Sequence, residues 1–353
     1  MRWGEDKGRL LVFFVLAFAM KGSLMSAESS PWKFLAPLPA SIAGQCVGTV
    51  GDVLVVAGGS SWTAPPWDKG VKSWSAQVYA LRSLDGQWET EAALAHGIGY
   101  GASAQWGDSL LCVGGQDATQ VFDSVSRFRS VGGKIAKEEL PKLPKPLTNA
   151  AAAVVGDTLF VVGGQHGLTP DTVSKEIWSL PLHGGKYGEW KLEPQPPWGH
   201  ARILPVVVGC KDALFVMSGA DLSTGADGTP VRTYLKDAWK RNAKGVWSQL
   251  VDLPVAVVAA PGVCNAAGHP VVFGGDDGVL APQAQVLRDK HPGFGMAAHE
   301  INPSTGHWHM TSHMPLSLVT TAAVKWKSHY VIAGGEPQPG HRSAKVIALP
   351  EAR

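Results

Sequence analysis

The chain has 353 residues, of which 45% are hydrophobic and 17% charged, with a formal net charge of +2. That apolar fraction excludes a disordered chain, and the 42 glycines follow no period of three, which excludes collagen. Fourteen tryptophans and many short apolar runs punctuated by glycine and proline point to an all-β protein with chain enough for a sizeable core.

Residues 1–27 read as an export signal. Arg2, Lys7 and Arg9 precede the apolar run Leu10–Met20, 11 residues long, and the largely small stretch 23–27 follows it. The run is too short to span a bilayer, and no later segment approaches the length needed. Cleavage after Ala27 is expected, leaving a single domain over residues 28–353 in a secreted or periplasmic location. It removes Arg2, Lys7, Arg9 and Lys21 against Glu5 and Asp6, which brings the net charge of +2 to zero. A neutral surface speaks against nucleic acid and, after signal cleavage, against a membrane as partner. Cys46, Cys112, Cys210 and Cys264 show no C-x-x-C spacing and sit in apolar, strand-like stretches, so buried free thiols are expected rather than disulfides.

Internal repeats come next along the chain. An apolar run ending in a small pair occurs six times: LVVAGG at 54–59, LLCVGG at 110–115, LFVVGG at 159–164, LFVMSG at 214–219, VVFGG at 271–275 and YVIAGG at 330–335. Successive pairs begin 56, 49, 55, 56 and 60 residues apart. Each run follows a second apolar stretch rich in Ala and Gly, as expected where several sheets crowd a common axis. Gly51-Asp52, Gly107-Asp108 and Gly156-Asp157 are hairpin dipeptides between the two. A third strand follows each pair, and Trp88, Trp190, Trp247 and Trp308 open a fourth, where they are expected to wedge between sheets. Four strands per period near 55 make one blade of a propeller. The pattern resembles the Kelch repeat, which implies a six-bladed β-propeller. The sixth repeat stops after its third strand, 345–349, and its missing Trp strand stands at 31–35. The N-terminal strand is therefore expected to complete the last blade and close the ring.

In such a ring the loops after each glycine pair, and those between blades, open on one face. Loops on a rigid scaffold carry function. They place Trp67, Trp74, Tyr100, Gln165, His166, Arg202 and His291 around the mouth, a mixture suited to a small polar ligand such as a sugar. His307, His309 and His313 lack zinc spacing and read as solvated surface, so no metal site is expected. Gly97, Gly99 and Gly101 do not fit a dinucleotide fingerprint.

The sharpest motif is the last loop, Gly335-Glu336-Pro337-Gln338-Pro339-Gly340-His341-Arg342. Here the chain resembles the N-acetylneuraminate epimerases, periplasmic Kelch propellers with a G-E-x-x-P-G-x-R loop after a segment like Ala323-Val324-Lys325-Trp326. Tyr100-Gly101, Arg202 and Asn302-Pro303-Ser304-Thr305 are further matches. The resemblance implies that Glu336 is the acid/base residue with Arg342 beside it, in a mutarotase acting on a small sugar acid without a cofactor. Its loop stands in the last blade rather than a middle one, as in a cyclically permuted branch of that family. The other reading is a non-enzymatic secreted Kelch module that binds a glycan or a protein. The sequence assigns no residue to protonation of the sugar ring oxygen, and it leaves open whether Arg342 binds the substrate carboxylate or tunes Glu336.

Overall fold

The computed structural model describes residues 31–351 apart from 92, 184–186 and 226–227. The expected signal at 1–27 lies outside the described residues. Strand β1 (Lys33–Phe34) belongs to the last blade, and the rest follow in chain order. Blade 1 holds β2 (Cys46–Val50) and β3 (Val53–Ala57), a projecting ribbon of β4 (Ser60–Trp62) and β5 (Lys72–Trp74), then β6 (Val78–Leu81) and β7 (Glu89–Thr90). Blade 2 is β8 (Ala102–Trp106), β9 (Ser109–Val113), β10 (Val125–Val131) and β11 (Lys134–Glu139). Blade 3 is β12 (Ala151–Val155), β13 (Thr158–Val162), β14 (Ile177–Pro181) and β15 (Lys191–Leu192). Blade 4 holds β16 (Val206–Cys210) and β17 (Ala213–Met217), a second ribbon of β18 (Ala220–Thr224) and β19 (Pro230–Tyr234), then β20 (Ala238–Arg241) and β21 (Trp247–Gln249). Blade 5 is β22 (Gly262–Cys264), β23 (Pro270–Gly275), β24 (Gly295–Ile301) and β25 (Trp308–His313). Blade 6 is β26 (Ala323–Trp326), β27 (His329–Gly335), β28 (Ser343–Pro350) and, from the other end of the chain, β1. The molecule is thus an all-β, six-bladed propeller.

Closure is as the repeats imply. Lys33 pairs with Ala348 and Phe34 with Ile347, antiparallel, and the Leu35 and Leu38 amides continue the contact to Val346 O and Ala344 O. Trp32 anchors this short strand: its ring is 6% exposed and meets Phe273 of blade 5 edge-on, with centroids 5.7 Å apart.

Blades pack face to face, so the larger core clusters each draw on two of them. Leu54, Val56 and Tyr79 of blade 1 meet Val324, Trp326 and Val331 of blade 6. The small residues of the innermost strands, Ala151–Ala153 among them, line a central channel of about 320 Å³. The tryptophans wedge as expected. Trp88 Nε1 donates to Ala36 O, Trp190 Nε1 to Pro141 O and Trp308 Nε1 to Val251 O, each at 2.8 Å and each across a blade boundary.

The glycine pairs have a backbone reason. At each of the six repeat pairs both residues are left-handed, from Gly58 and Gly59 (φ 72° and 103°) to Gly334 and Gly335 (69° and 111°). A Cβ on Gly114 would lie 2.1 Å from Leu147 O. Ser218 substitutes for the first glycine in blade 4 at φ 53°, held because its hydroxyl donates to Leu235 O at 2.8 Å and accepts from Val257 N at 2.9 Å.

One expectation is corrected. Cys210 and Cys264 form a disulfide, with Cα atoms 5.4 Å apart, whereas Cys46 and Cys112 are free. The bonded residues end β16 and β22, adjacent innermost strands, and their separation of 54 is one blade period. Equivalent positions in neighbouring repeats are brought side by side, a relation that apolar surroundings do not disclose.

Candidate active site

The mouth is built from two pseudo-sixfold rings. Gly44, Tyr100, Asn149, Leu204, Ala259 and Thr320 occupy equivalent places between blades and are all left-handed, with φ of 72°, 58°, 54°, 50°, 58° and 56°. Each donates its amide to the carbonyl of the equivalent residue one blade back, Gly44 to Thr320, Tyr100 to Gly44 and so on around, at 2.6–3.0 Å. This closed backbone hoop contributes to the walls of both the channel and a wider cavity of about 890 Å³ at the mouth. Immediately after the glycine pairs, Ser60, Gln116, Gln165, Ala220, Asp276 and Glu336 form the second ring. Each is bridged to the residue preceding a hoop member, as Glu336 is to Val319. The repeat therefore sets six side chains at the same height, and the sequence chooses their chemistry.

At the last position that chemistry is acidic. Glu336 lines the cavity, and its Oε1 lies 2.8 Å from Arg342 Nη1. The side chains are 17% and 5% exposed. Burial pushes the Glu336 carboxyl above its ordinary range, and the Asp276 charge on the adjacent blade adds to this, although Arg342, Lys72 and Arg232 all pull the other way. A carboxyl kept near a proton in this way is suited to give and take one.

Arg342 uses both terminal nitrogens of its guanidinium beside Glu336, while its buried Nε has no partner among the described residues. Its Nη1 also donates to His341 O at 3.1 Å, and its Nη2 donates to Tyr100 Oη at 3.0 Å. The guanidinium is not part of the cavity wall, so of the two roles left open by the sequence the geometry favours holding and tuning Glu336. Tyr100 lines the cavity; its Oη also accepts from Lys72 Nζ at 2.7 Å and lies 3.2 Å from Ser60 Oγ. Lys72 sits on the blade 1 ribbon, which leans over the opening.

Trp67 and Trp74 were expected to bind ligand, but neither lines the cavity. Trp74 packs edge-on against Tyr100 with centroids 5.7 Å apart, and Trp67 lies against His341 at 5.8 Å. A Cβ on Gly340 (φ 75°), in the loop that carries Glu336 and Arg342, would come within 2.9 Å of the Trp67 ring, which explains the glycine there. Both indoles brace the site from behind. Gln165 does line the cavity, accepting from Asn149 Nδ2 at 3.1 Å, and so does His291, which is 6% exposed and accepts the Gly293 amide at 3.1 Å.

His166 and Arg202 do not join them. His166 turns to Pro146 O at 2.9 Å and to Glu176 at 3.3 Å, away from the cavity. Arg202 is wholly buried: it donates to both Asp237 carboxylate oxygens at 3.1 and 2.7 Å and to Ser218 O at 2.8 Å, with Trp198 stacked at 4.6 Å. It clamps blades 3 and 4 together. Asn302 is equally structural, since its Oδ1 accepts the Ser304 amide in the outer hairpin turn of blade 5. Sequence reasoning missed Lys72, Tyr234 and Thr320, which line the cavity. Lys72 could have been found from its place two residues before Trp74 in a loop that carries three tryptophans.

No family model matches the chain. Over 108 residues it is 33% identical to the N-acetylneuraminate epimerase of Escherichia coli O1:K1 / APEC, which covers 27% of this chain and 29% of that protein. The protein of the same name from Vibrio cholerae serotype O1 is 32% identical over 104 residues, 24% of this chain and 27% of its own length. The chain thus spans less than a third of the curated relatives it matches. The solved structure of YjhT superposes with a TM-score of 0.66 over 90% of this chain and 97% of that chain, at 15% identity. That likeness establishes the fold.

Proposed function

We propose that the protein is a mutarotase that interconverts the α and β anomers of N-acetylneuraminate or a related sugar acid. The observation that carries this reading is Glu336: a buried carboxyl on the cavity wall, raised by desolvation and fixed at 2.8 Å by Arg342. The partial similarity to proteins named N-acetylneuraminate epimerase supports the same substrate class. Mutarotation opens a cyclic hemiketal, lets the chain rotate and closes it again, with no net oxidation and no group transferred. Glu336 as carboxylate takes the proton of the anomeric hydroxyl and returns it on reclosure. Arg342 keeps the carboxylate aimed at the cavity. Among the described residues Lys72 and Arg232 are the Lys and Arg side chains on the cavity wall; Lys72 is engaged by the Tyr100 hydroxyl, and Arg232 is the group that would meet the substrate's own carboxylate.

The test follows freshly released α-N-acetylneuraminate by proton NMR as it approaches anomeric equilibrium. Catalytic amounts of the protein should hasten that approach, and Glu336→Gln should remove most of the acceleration, on the order of 10²–10⁴-fold, while sugar binding persists. Anomerisation in Glu336→Gln at the rate of the parent protein would return the chain to the class of non-enzymatic binding modules.

A further inference from the structure

Resting on the mutarotase reading, we propose that Tyr100 is the second catalytic residue, the acid that protonates the sugar ring oxygen while Glu336 takes the anomeric proton. Two protons must move at two oxygens on one carbon, and Glu336 accounts for one of them.

The geometry singles out Tyr100. Its Oη accepts from Lys72 Nζ at 2.7 Å and from Arg342 Nη2 at 3.0 Å. Negative charge that builds on the phenolic oxygen as its proton leaves is therefore met at once by two cations, without any reorganisation. The same guanidinium holds Glu336 through Nη1, at 2.8 Å. The two terminal nitrogens of a planar guanidinium stand about as far apart as two oxygens on one carbon, so one arginine sets a carboxylate and a phenol side by side at a spacing suited to that pair. Tyr100 is also an aromatic residue at φ 58°, a conformation that side chains of its size rarely adopt, held there by the hoop. Gly44 makes room for it: a Cβ at Gly44 would fall 3.0 Å from the tyrosine ring.

Of the other groups on the cavity wall, Tyr234 and Lys72 are committed elsewhere. The Tyr234 hydroxyl donates to Asp276 Oδ2 at 3.0 Å, and burial with the Asp276 charge raises its pKa, which makes it a poorer acid. His291 accepts the Gly293 amide at Nδ1, and among the described residues no hydrogen bond ties it to Glu336 or Arg342. Lys72 donates to Tyr100 itself.

The step balances as follows. The anomeric O–H proton passes to Glu336, the bond from the anomeric carbon to the ring oxygen breaks with its electron pair on the ring oxygen, and that oxygen takes the Tyr100 proton. A ketone and a free hydroxyl result. After rotation the hydroxyl attacks the other face of the ketone, returns its proton to the Tyr100 phenolate, and Glu336 returns its own to the carbonyl oxygen.

The test compares the parent protein, Glu336→Gln, Tyr100→Phe and Lys72→Met in the same NMR assay, with melting midpoints and sugar binding measured alongside. Tyr100→Phe keeps the ring against Trp74 and the backbone in the hoop. It should lower kcat about 100-fold or more with KM nearly unchanged, and Lys72→Met should lower kcat by less. Parent kcat in Tyr100→Phe, with Glu336→Gln inactive, overturns the assignment of Tyr100 and leaves the function standing. No acceleration by the parent protein overturns the function and this assignment together. If Tyr100→Phe melts far below the parent, Lys72→Met decides: a lowered kcat with KM and midpoint unchanged supports the assignment, and parent kcat refutes it.

Discussion

Trp32→Ala tests how the ring is held shut. Strand β1 contributes two paired residues, Lys33 and Phe34, both solvent-exposed, so its backbone alone is a weak latch. The indole supplies what the strand lacks. It is 6% exposed and packs in a cluster with Val271, Phe273, Met314, Tyr330 and Ile347, which spans blades 5 and 6. Removing a buried ring of this size costs about 3–5 kcal/mol, with roughly 1 kcal/mol of it from the edge-to-face contact with Phe273. In a propeller of this length the unfolding entropy converts that into a midpoint lowered by about 4–7 °C. Phe34→Ala is the control in the same strand: its ring is 57% exposed, and the change should stay within about 0.5 kcal/mol. Calorimetry, with urea unfolding as a second measurement, reads both. If Trp32→Ala melts within about 1 °C of the parent, the indole is not the anchor and the account of closure is wrong.

Arg202→Ala should cost about 3–5 kcal/mol, because it strands Asp237 at a blade interface, while ligand affinity at temperatures where the variant is folded stays at the parent value; lost affinity without lost stability would restore Arg202 to the ligand site. Cys210→Ser should lower stability by about 4 kcal/mol in the loop-entropy picture for a separation of 54, and alkylation of the denatured, unreduced protein should label Cys46 and Cys112 alone. The raised Glu336 carboxyl means that the native protein holds this proton more tightly than the unfolded chain, so its ionisation subtracts stability as pH rises above 4.5 and through the raised value. Glu336→Gln should therefore melt at or above the parent midpoint at alkaline pH, with the gap closing below pH 4.5; a variant less stable than the parent at high pH and equal to it at low pH would contradict a raised carboxyl.

Much of the architecture was readable along the chain because a propeller repeats locally. The glycine pair is a backbone requirement, visible wherever φ is positive, and the hairpin dipeptides and the wedge tryptophans recur with it. The split last blade was equally readable, since a missing strand at one end and a spare one at the other leave one way to pair. The loop holding Glu336 and Arg342 announced itself through two prolines and a glycine that restrict its shape, and its ion pair formed within six residues of chain.

What the sequence could not decide were relations between residues far apart in it. Arg202 reads as a mouth residue until Asp237, 35 residues on, is seen to consume its charge. Tyr100 reads as a loop aromatic until Arg342, 242 residues away, reaches its hydroxyl from the other end of the ring. Trp67 and Trp74 read as ligand platforms, yet each spends its face on a neighbouring loop. Cys210 and Cys264 meet because two innermost strands lie side by side. The physical reason is common to all four. Periodicity and turn chemistry determine the blade, since both act within a few residues. The partner of a charge, a ring or a thiol is set by the closing of six blades on one axis, and only the tertiary structure brings those groups into reach.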